Sequence, residues 1–131
     1  MHKHRILEDL GVKRCDIPEN WFEEKGDPRL HKWKLMRKEY GFDSREIWNL
    51  NMTFACWLLE RLVWYRDNVP VDLDFHKERY QGKLITQKEA MNLMIENLTF
   101  YLTDDSHVDK QFEAWKTAAE LWAVWGYAFW Y

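Results

Sequence analysis

The chain has 131 residues, a formal net charge of −3 and two cysteines. That length fits one domain with a single core. Cys15 and Cys56 are far apart in sequence and have no further metal ligands beside them, so the sequence indicates neither a disulfide framework nor a zinc knuckle. The longest apolar run, residues 121–131, is shorter than the ~20 residues of a membrane span, and no secretion signal is recognisable. We therefore expect a soluble cytoplasmic protein with no membrane association and no cofactor.

Charge and aromatic side chains are unevenly distributed. Residues 1–45 hold 11 Lys and Arg against 9 Asp and Glu, whereas residues 46–131 hold 8 against 13. The positive excess of the first part is too small to predict non-specific binding to nucleic acid, and a local basic patch stays open. Nine residues are tryptophans, four of them among the last 17. Each is a large amphipathic surface that has to pack in a core, against a ligand or against a partner.

The first 26 residues predict only short elements. Residues 1–16 mix charged and aliphatic side chains, which indicates a weakly ordered segment with a short helix near 5–10. One or two helical turns follow and carry Trp21 and Phe22, and Gly26 ends them.

The first main helix is predicted at residues 28–40. Asp27 can accept free backbone N–H groups, and the proline that follows has none to lose. Six basic side chains lie within residues 29–38. Guanidinium groups hold phosphates and aromatic rings stack on bases, so this helix is a candidate anion site, with a solvated, charge-balanced face as the alternative. The residues assigned to phosphate are Arg29, Lys34 and Arg37, and Trp33 is assigned to base stacking.

The central helix is predicted to begin at Asp43, because Glu46 can reach back to the N–H of the capping residue. Apolar residues then recur at helical spacing to about residue 68. A second stripe of this helix lies off the aliphatic face and places a carboxylate and a guanidinium between two indoles. Such a stripe can sandwich a base or receive a partner helix, and packing inside the core is the alternative. It consists of Thr53, Trp57, Glu60 and Trp64, with Arg61 beside it.

Residues 70–85 are predicted to be extended, since apolar and polar side chains alternate there with a period of two. Asp72, Asp74 and His76 then share one side and are acceptable ligands for a divalent metal. Alternate strand residues are ~6.6 Å apart, so the three converge on one ion only if the chain curls. A solvent-facing strand edge is the alternative.

Two more helices complete the prediction. Thr86 and Glu89 form a capping box for the first of them, and the second begins near residue 106. From 121 to 131 the last helix is apolar all round, which indicates burial in the protein's own centre or in another subunit, and we expect a homo-oligomer through this segment. The inward faces are predicted as Met91, Met94, Ile95, Leu98 and Leu102 in the first helix, and as Val108, Phe112, Trp115, Ala119 and Trp122 in the second.

Together these elements predict an all-α fold, in which residues 1–131 form one compact domain of about four main helices with a short extended segment near 70–85. No glycine-rich phosphate loop, serine elbow or Cys/His nucleophile pair can be assembled from the residues. No metal or catalytic residue is assigned, and the sequence predicts a binding protein that is not an enzyme.

A resemblance to a known family lies at the start of the central helix. Residues 44–51 read Ser-Arg-Glu-Ile-Trp-Asn-Leu-Asn, within a stretch that resembles small, largely uncharacterised proteins of tailed bacteriophages. In their pattern an acidic-Arg-acidic cluster precedes Trp and then Leu-Asp, and the helix ends in an Arg-Leu pair, here Arg61 and Leu62. This chain has Asn51 where the pattern has aspartate, which argues against any chemistry performed by that aspartate. The resemblance implies a phage gene expressed in a bacterial host.

Three functional hypotheses follow. The first is a non-enzymatic phage accessory protein, a counter-defence factor that sequesters a nucleotide-like or other small anionic ligand as an oligomer in the host cytoplasm. The second is an interaction module that binds and inhibits a host protein through the aromatic stripe and the last helix. The third is a small metal-dependent enzyme that uses Asp72, Asp74 and His76.

Overall fold

The computed structural model describes residues 3–130, and most of them are helical. None of the described helices has both the length and the apolar character needed to cross a membrane. The elements are α1 (Arg5–Asp9), α2 (Leu30–Tyr40), α3 (Ser44–Trp48), α4 (Leu50–Asn68), β1 (Lys77–Tyr80), β2 (Lys83–Thr86), α5 (Gln87–Thr103) and α6 (Val108–Trp125), with 3₁₀ turns at Arg14–Asp16, Pro18–Asn20 and Gly126–Ala128.

Helix α5 packs against both α4 and α6 and carries the centre of the core. It begins at the predicted capping box: Thr86 Oγ1 accepts the N–H of Glu89 at 3.1 Å, and the Glu89 carboxylate accepts the N–H of Thr86 at 3.4 Å. All five side chains predicted to face inward are buried. Burial of one large aliphatic side chain contributes about 1.5–3 kcal/mol, so these five dominate the contribution of α5 to stability.

The buried face of α6 differs from the predicted one. Val108 and Phe112 are more than half exposed, whereas Ala114, Ala118 and Leu121 are buried. Helix α6 packs mainly on α5, and the two alanines let the helices approach closely. The prediction relies on the large apolar side chains. The buried face of α6 therefore lies about one position along the helix from the predicted face, on the side of the two alanines.

The apolar end of α6 enters the protein's own core. Trp125 is fully buried. Beyond it, Phe129 packs edge to face on Tyr65 of α4 with ring centroids 5.2 Å apart, and the Tyr65 hydroxyl donates to the carbonyl oxygen of Trp130 at 3.0 Å. Trp130 itself and Tyr127 stay exposed. The homo-oligomer remains a prediction. Among the described residues of this segment, the exposed apolar surface is mainly that of these two rings, and Tyr131 lies outside the described residues.

The predicted central helix is interrupted at Asn49. This residue has φ −139° and ψ 86°, outside the helical region, and its side-chain oxygen accepts the N–H of Met52 at 3.2 Å. Asparagine is a favoured N-cap because its short side chain can bond to the following backbone. Helix α3 is thereby separated from α4, and Ile47 and Leu50, which continue the aliphatic pattern in sequence, are at least half exposed.

The segment predicted to be extended is a turn followed by a hairpin. Strands β1 and β2 pair antiparallel, and Gln81 and Gly82 form the connection with φ of 51° and 74°. Two positive φ values are what a tight hairpin turn requires. Residues 71–76, where the alternation predicts a strand, form a turn in which the Asp72 carboxylate accepts the N–H of Asp74 at 2.9 Å. The all-α prediction is therefore corrected to a mostly helical fold with a small two-stranded sheet.

The N-terminal segment packs on α4 through α1. The sequence predicts weak order for residues 1–16, yet Leu7 and Val12 are buried members of the core. The described part of that segment therefore contributes to the core and brings His4 against α4.

Candidate functional site

A cleft of about 310 Å³ lies between the N-terminal segment, α2, α3 and α4. Its volume is at the lower end of the range found for small-ligand sites. We call it the charged cleft, because most of its polar lining is ionisable. The ionisable groups are His4, Glu19, Arg37, Glu46, Cys56, Glu60 and Arg61.

Arg37, predicted to bind phosphate, faces the charged cleft but is held by acids. Its guanidinium donates to Glu19, to Glu46 and, at 3.3 Å, to Asp43. Burial alone would lower the pKa of Arg37, but the neighbouring carboxylates raise it above the usual value. One positive charge thus faces three negative ones, which leaves little attraction for a phosphate.

Cys56 lines the same cleft as a thiol. Burial, with a smaller contribution from the nearby carboxylates, raises the pKa of Cys56 to about 12. The reactive form of cysteine is the thiolate, so this side chain is not set up as a nucleophile at neutral pH.

His4 links two elements across the cleft. Its Nδ1 lies 2.7 Å from Glu60 Oε1 on α4, and its Nε2 contacts the carboxylate of Glu19. Only the imidazolium form can donate from both nitrogens. The hydrogen bond to Glu60 raises the pKa of His4, although burial opposes the shift. His4 also has φ 64°, a left-handed conformation that costs a non-glycine residue about 1–2 kcal/mol, and the two carboxylates help to hold it there.

We expect the stability of the protein to fall as pH rises through the titration of His4. Because the folded-state pKa lies above the unfolded value of about 6.5, the contribution is fully present below that value and is lost as pH rises through the folded pKa. Urea unfolding of the wild type and of His4→Gln, from about pH 6 to about pH 9, measures this. The variant keeps a donor but cannot be charged, so its decline should be smaller. Equal declines would show that His4 does not act in this way.

Helix α4 presents two indoles and a guanidinium next to the charged cleft. Trp57 and Trp64 are 47% and 49% exposed, so neither is a core residue. Arg61 lies between them, with its guanidinium carbon 4.3 Å from the ring centroid of Trp57 and a hydrogen bond of 2.9 Å to the Trp57 carbonyl oxygen. Within residues 3–130, no carboxylate pairs with Arg61. We call Trp57, Arg61 and Trp64 the Trp-Arg stripe.

The ring of Trp57 is supported from the core side. Phe54 stacks beside it with centroids 6.2 Å apart and an interplanar angle of 15°, and Phe54 in turn meets Trp115 of α6 edge to face at 6.0 Å. Arg61 lies over the same indole. A base that stacks on the face covered by Arg61 would have to displace the guanidinium, whereas the exposed part of the indole is free to pack against a surface.

The other residues predicted to bind an anion do not come together. Trp33 is only 3% exposed and lies beneath the guanidinium carbons of Arg29 and Arg45, 4.9 Å and 4.5 Å from its ring centroid. Arg29 forms an ion pair of 2.8 Å with Asp27, and Lys34 is exposed on another part of α2. Arg29, Trp33 and Lys34 therefore do not form one site with Arg37, and the anion site on this helix stays a prediction.

Asp72, Asp74 and His76 do not converge on a common point. Within the described residues, no three His, Cys, Asp or Glu side chains are placed to hold one metal ion. His76 Nε2 lies 2.7 Å from the hydroxyl of Tyr127, and the His76 ring packs edge to face on Trp125 at 5.2 Å. His76 therefore joins the hairpin to the end of α6.

The sequence did not reveal the role of Arg45. Its guanidinium binds both carboxylate oxygens of Asp43, at 3.0 Å and 2.7 Å, and donates to the carbonyl oxygen of Trp21 at 2.8 Å. Both members of the pair are buried. Burial opposes ionisation, but the contacts with Arg45 hold the pKa of Asp43 below its usual value. The capping signal identified Asp43, whereas nothing local in the sequence marks Arg45 as the support of the loop at Trp21.

No protein-family model matches the chain, and neither a curated protein nor a solved structure does. The phage resemblance therefore remains a prediction. In the structure, Asp43 and Glu46 form the predicted capping box and Asp43 pairs with Arg45, so these three residues have structural roles.

Proposed function

We propose that the protein is a non-enzymatic interaction module that binds another protein through the Trp-Arg stripe. The half-exposure of Trp57 and Trp64, on a helix whose other face is core, carries this proposal. Tryptophan and arginine are enriched among the residues that dominate binding energy at protein interfaces. A helix fixed by core packing also presents them without a large ordering cost on binding.

The chemistry of the stripe describes the partner. Trp57 and Trp64 are seven residues apart, which places them about 10.5 Å apart along the helix axis. Arg61 lies between them without a carboxylate partner among the described residues. The complementary surface has two apolar recesses about 10 Å apart with an Asp or Glu side chain between them. Following the phage resemblance, we propose that this partner is a host protein.

Sequestration of a nucleotide-like anion has less support. Arg37, Trp57 and Arg61 do line one cleft, but Glu19, Glu46 and Glu60 line it as well. These three carboxylates offset the charges of Arg37, Arg61 and protonated His4, so the cleft has no net positive charge with which to attract a phosphate. Arg29, which precedes α2, is paired with Asp27, and the lysines of α2 do not line the cleft.

Retention of host proteins on immobilised variants tests the proposal. We expect the wild type to retain a specific protein from a bacterial extract, and Arg61→Glu to lose it, because the reversed charge meets the partner's carboxylate. Lys34→Glu makes the same change of charge on exposed α2 and should retain the protein as the wild type does. If Lys34→Glu lost the host protein and Arg61→Glu kept it, the binding surface would instead be the basic face of α2.

A parallel measurement addresses the sequestration hypothesis. Protein exposed to the same extract is heated, and the supernatant is searched for released small molecules by mass spectrometry. We expect no specific anion. Release of a stoichiometric nucleotide from the wild type would contradict the interaction module and restore the first hypothesis.

A further inference from the structure

A second surface concavity lies outside the charged cleft and shares no residue with the Trp-Arg stripe. It is a wide cup of about 660 Å³, walled by three aromatic rings from the loop after Pro18–Asn20 and from α3. Two glutamates also line it. We call it the aromatic cup, and its lining is Cys15, Asn20, Trp21, Phe22, Glu23, Glu24 and Trp48.

Two of the three rings of the aromatic cup are exposed and pack against each other. Phe22 and Trp48 are each about half exposed, and they meet edge to face with centroids 5.9 Å apart. On its inner side Trp48 meets buried Trp33 in the same manner, also at 5.9 Å. These edge-to-face contacts connect the cup to a buried ring, so the cup does not need a ligand to form.

The backbone at Phe22 is strained. Its φ is 59°, in the left-handed region, where a bulky aromatic residue is an outlier that costs about 1–2 kcal/mol. The bond from Arg45 to the carbonyl oxygen of Trp21 holds the loop in place. The ring of this strained residue is 54% exposed and is not part of the core, and strained residues cluster at ligand sites.

The charge of the aromatic cup is complementary to a cation. Glu23 is paired with Arg14 at 3.2 Å in an exposed contact, whereas the Glu24 carboxylate has no side-chain partner among residues 3–130. The faces of aromatic rings carry negative electrostatic potential and attract cations. One face of Phe22 is already in contact with the guanidinium of Arg29, 4.8 Å from the ring centroid and paired with Asp27, so a ligand has the remaining surface of that ring.

We propose that the aromatic cup binds an alkylammonium group, with Trp21, Phe22 and Trp48 in contact with its methyl groups and Glu24 balancing its charge. An alkylated ammonium is weakly hydrated and apolar at its surface, so it gains both from the rings and from the carboxylate. A primary alcohol or a carboxylate of the same size lacks one or both of these gains. The group is supplied either by a small organic cation or by a methylated lysine of a polypeptide.

Titrations with choline and with its uncharged isostere 3,3-dimethylbutanol test the proposal, followed through the indole N–H signals of the full chain by NMR. Choline should bind at least about fivefold more tightly than the isostere, the factor expected from roughly 1 kcal/mol of cation–π attraction. A peptide with one trimethyllysine is the second arm. Tighter binding of the peptide assigns the site to a polypeptide side chain, and tighter binding of choline assigns it to a small cation.

Variants locate the effect. Trp48→Leu and Glu24→Gln should each weaken choline binding several-fold, and both replace side chains that are exposed enough for the fold to tolerate them. Trp130→Leu, at an exposed tryptophan outside both the cup and the Trp-Arg stripe, should bind choline as the wild type does. The proposal is overturned if choline and the isostere bind equally, if neither cation binds, or if Trp130→Leu is weakened as much as Trp48→Leu.

Discussion

Replacing Trp125 with alanine is expected to lower the free energy of unfolding by about 3–5 kcal/mol, the range found for buried aromatic residues. Trp125 is fully buried, and its ring meets His76 of the turn before β1. The indole Nε1 has no hydrogen-bond partner among the described residues, so the loss comes from packing and not from a broken hydrogen bond. For the same reason Trp125→Phe should be much milder, since it removes an unpaired N–H and leaves a smaller cavity.

Urea unfolding followed by circular dichroism measures these differences. Trp130→Ala is the matched control, because Trp130 belongs to the same apolar segment but is 75% exposed. Its change should stay within about 0.5 kcal/mol. If Trp130→Ala were as destabilising as Trp125→Ala, or if the unfolding midpoint of the wild type rose with protein concentration, the segment would be stabilised mainly by another subunit.

Replacing Asp43 with alanine is expected to cost about 3–5 kcal/mol, because it leaves the buried guanidinium of Arg45 without its counter-charge. Asp43 also caps α3 and receives a bond from Arg37. A double variant, Asp43→Ala with Arg45→Met, removes both charges and should be more stable than the single variant. If the double variant were no more stable than Asp43→Ala, the cost of the single variant would not come from leaving Arg45 without its counter-charge.

The Asp43 pair also predicts the behaviour at low pH. The pKa of Asp43 is depressed in the folded protein, so its contribution is present above the unfolded value of about 3.9 and is lost as pH falls through the folded pKa. The wild type should therefore lose more stability on acidification than the double variant does.

Elements with local signals were predicted best. Helix α5 has a capping box, a regular aliphatic period and large inward side chains, and all of these lie within one stretch of chain. The interruption at Asn49 is not predicted, because an asparagine between apolar residues at helical spacing looks like an ordinary polar residue on the exposed face of one continuous helix. The buried face of α6 is predicted about one position away from its true place. Alanine is only weakly hydrophobic and so adds little to the sequence pattern, but its small side chain lets two helices pack closely.

The candidate sites show a similar limit. Trp57, Arg61 and Trp64 could be placed on one stripe because they lie on one helix, and their half-exposure agrees with a position off the aliphatic face. His4 and Glu60 are separated by 55 intervening residues, and Trp21 and Arg45 by 23, so no local pattern joins them. The neutralisation of Arg37 likewise depends on an acid that is distant in sequence, Glu19.

The affinity of the retained host protein for stripe variants tests the central claim most directly. With that protein purified, isothermal titration calorimetry compares the wild type, Trp64→Ala and Trp130→Ala, which each remove one exposed indole. We expect Trp64→Ala to weaken binding at least about 30-fold, as for a residue worth 2 kcal/mol or more at an interface, and Trp130→Ala to bind as the wild type does. Equal affinities for Trp64→Ala and the wild type would contradict the assignment of the Trp-Arg stripe as the binding surface.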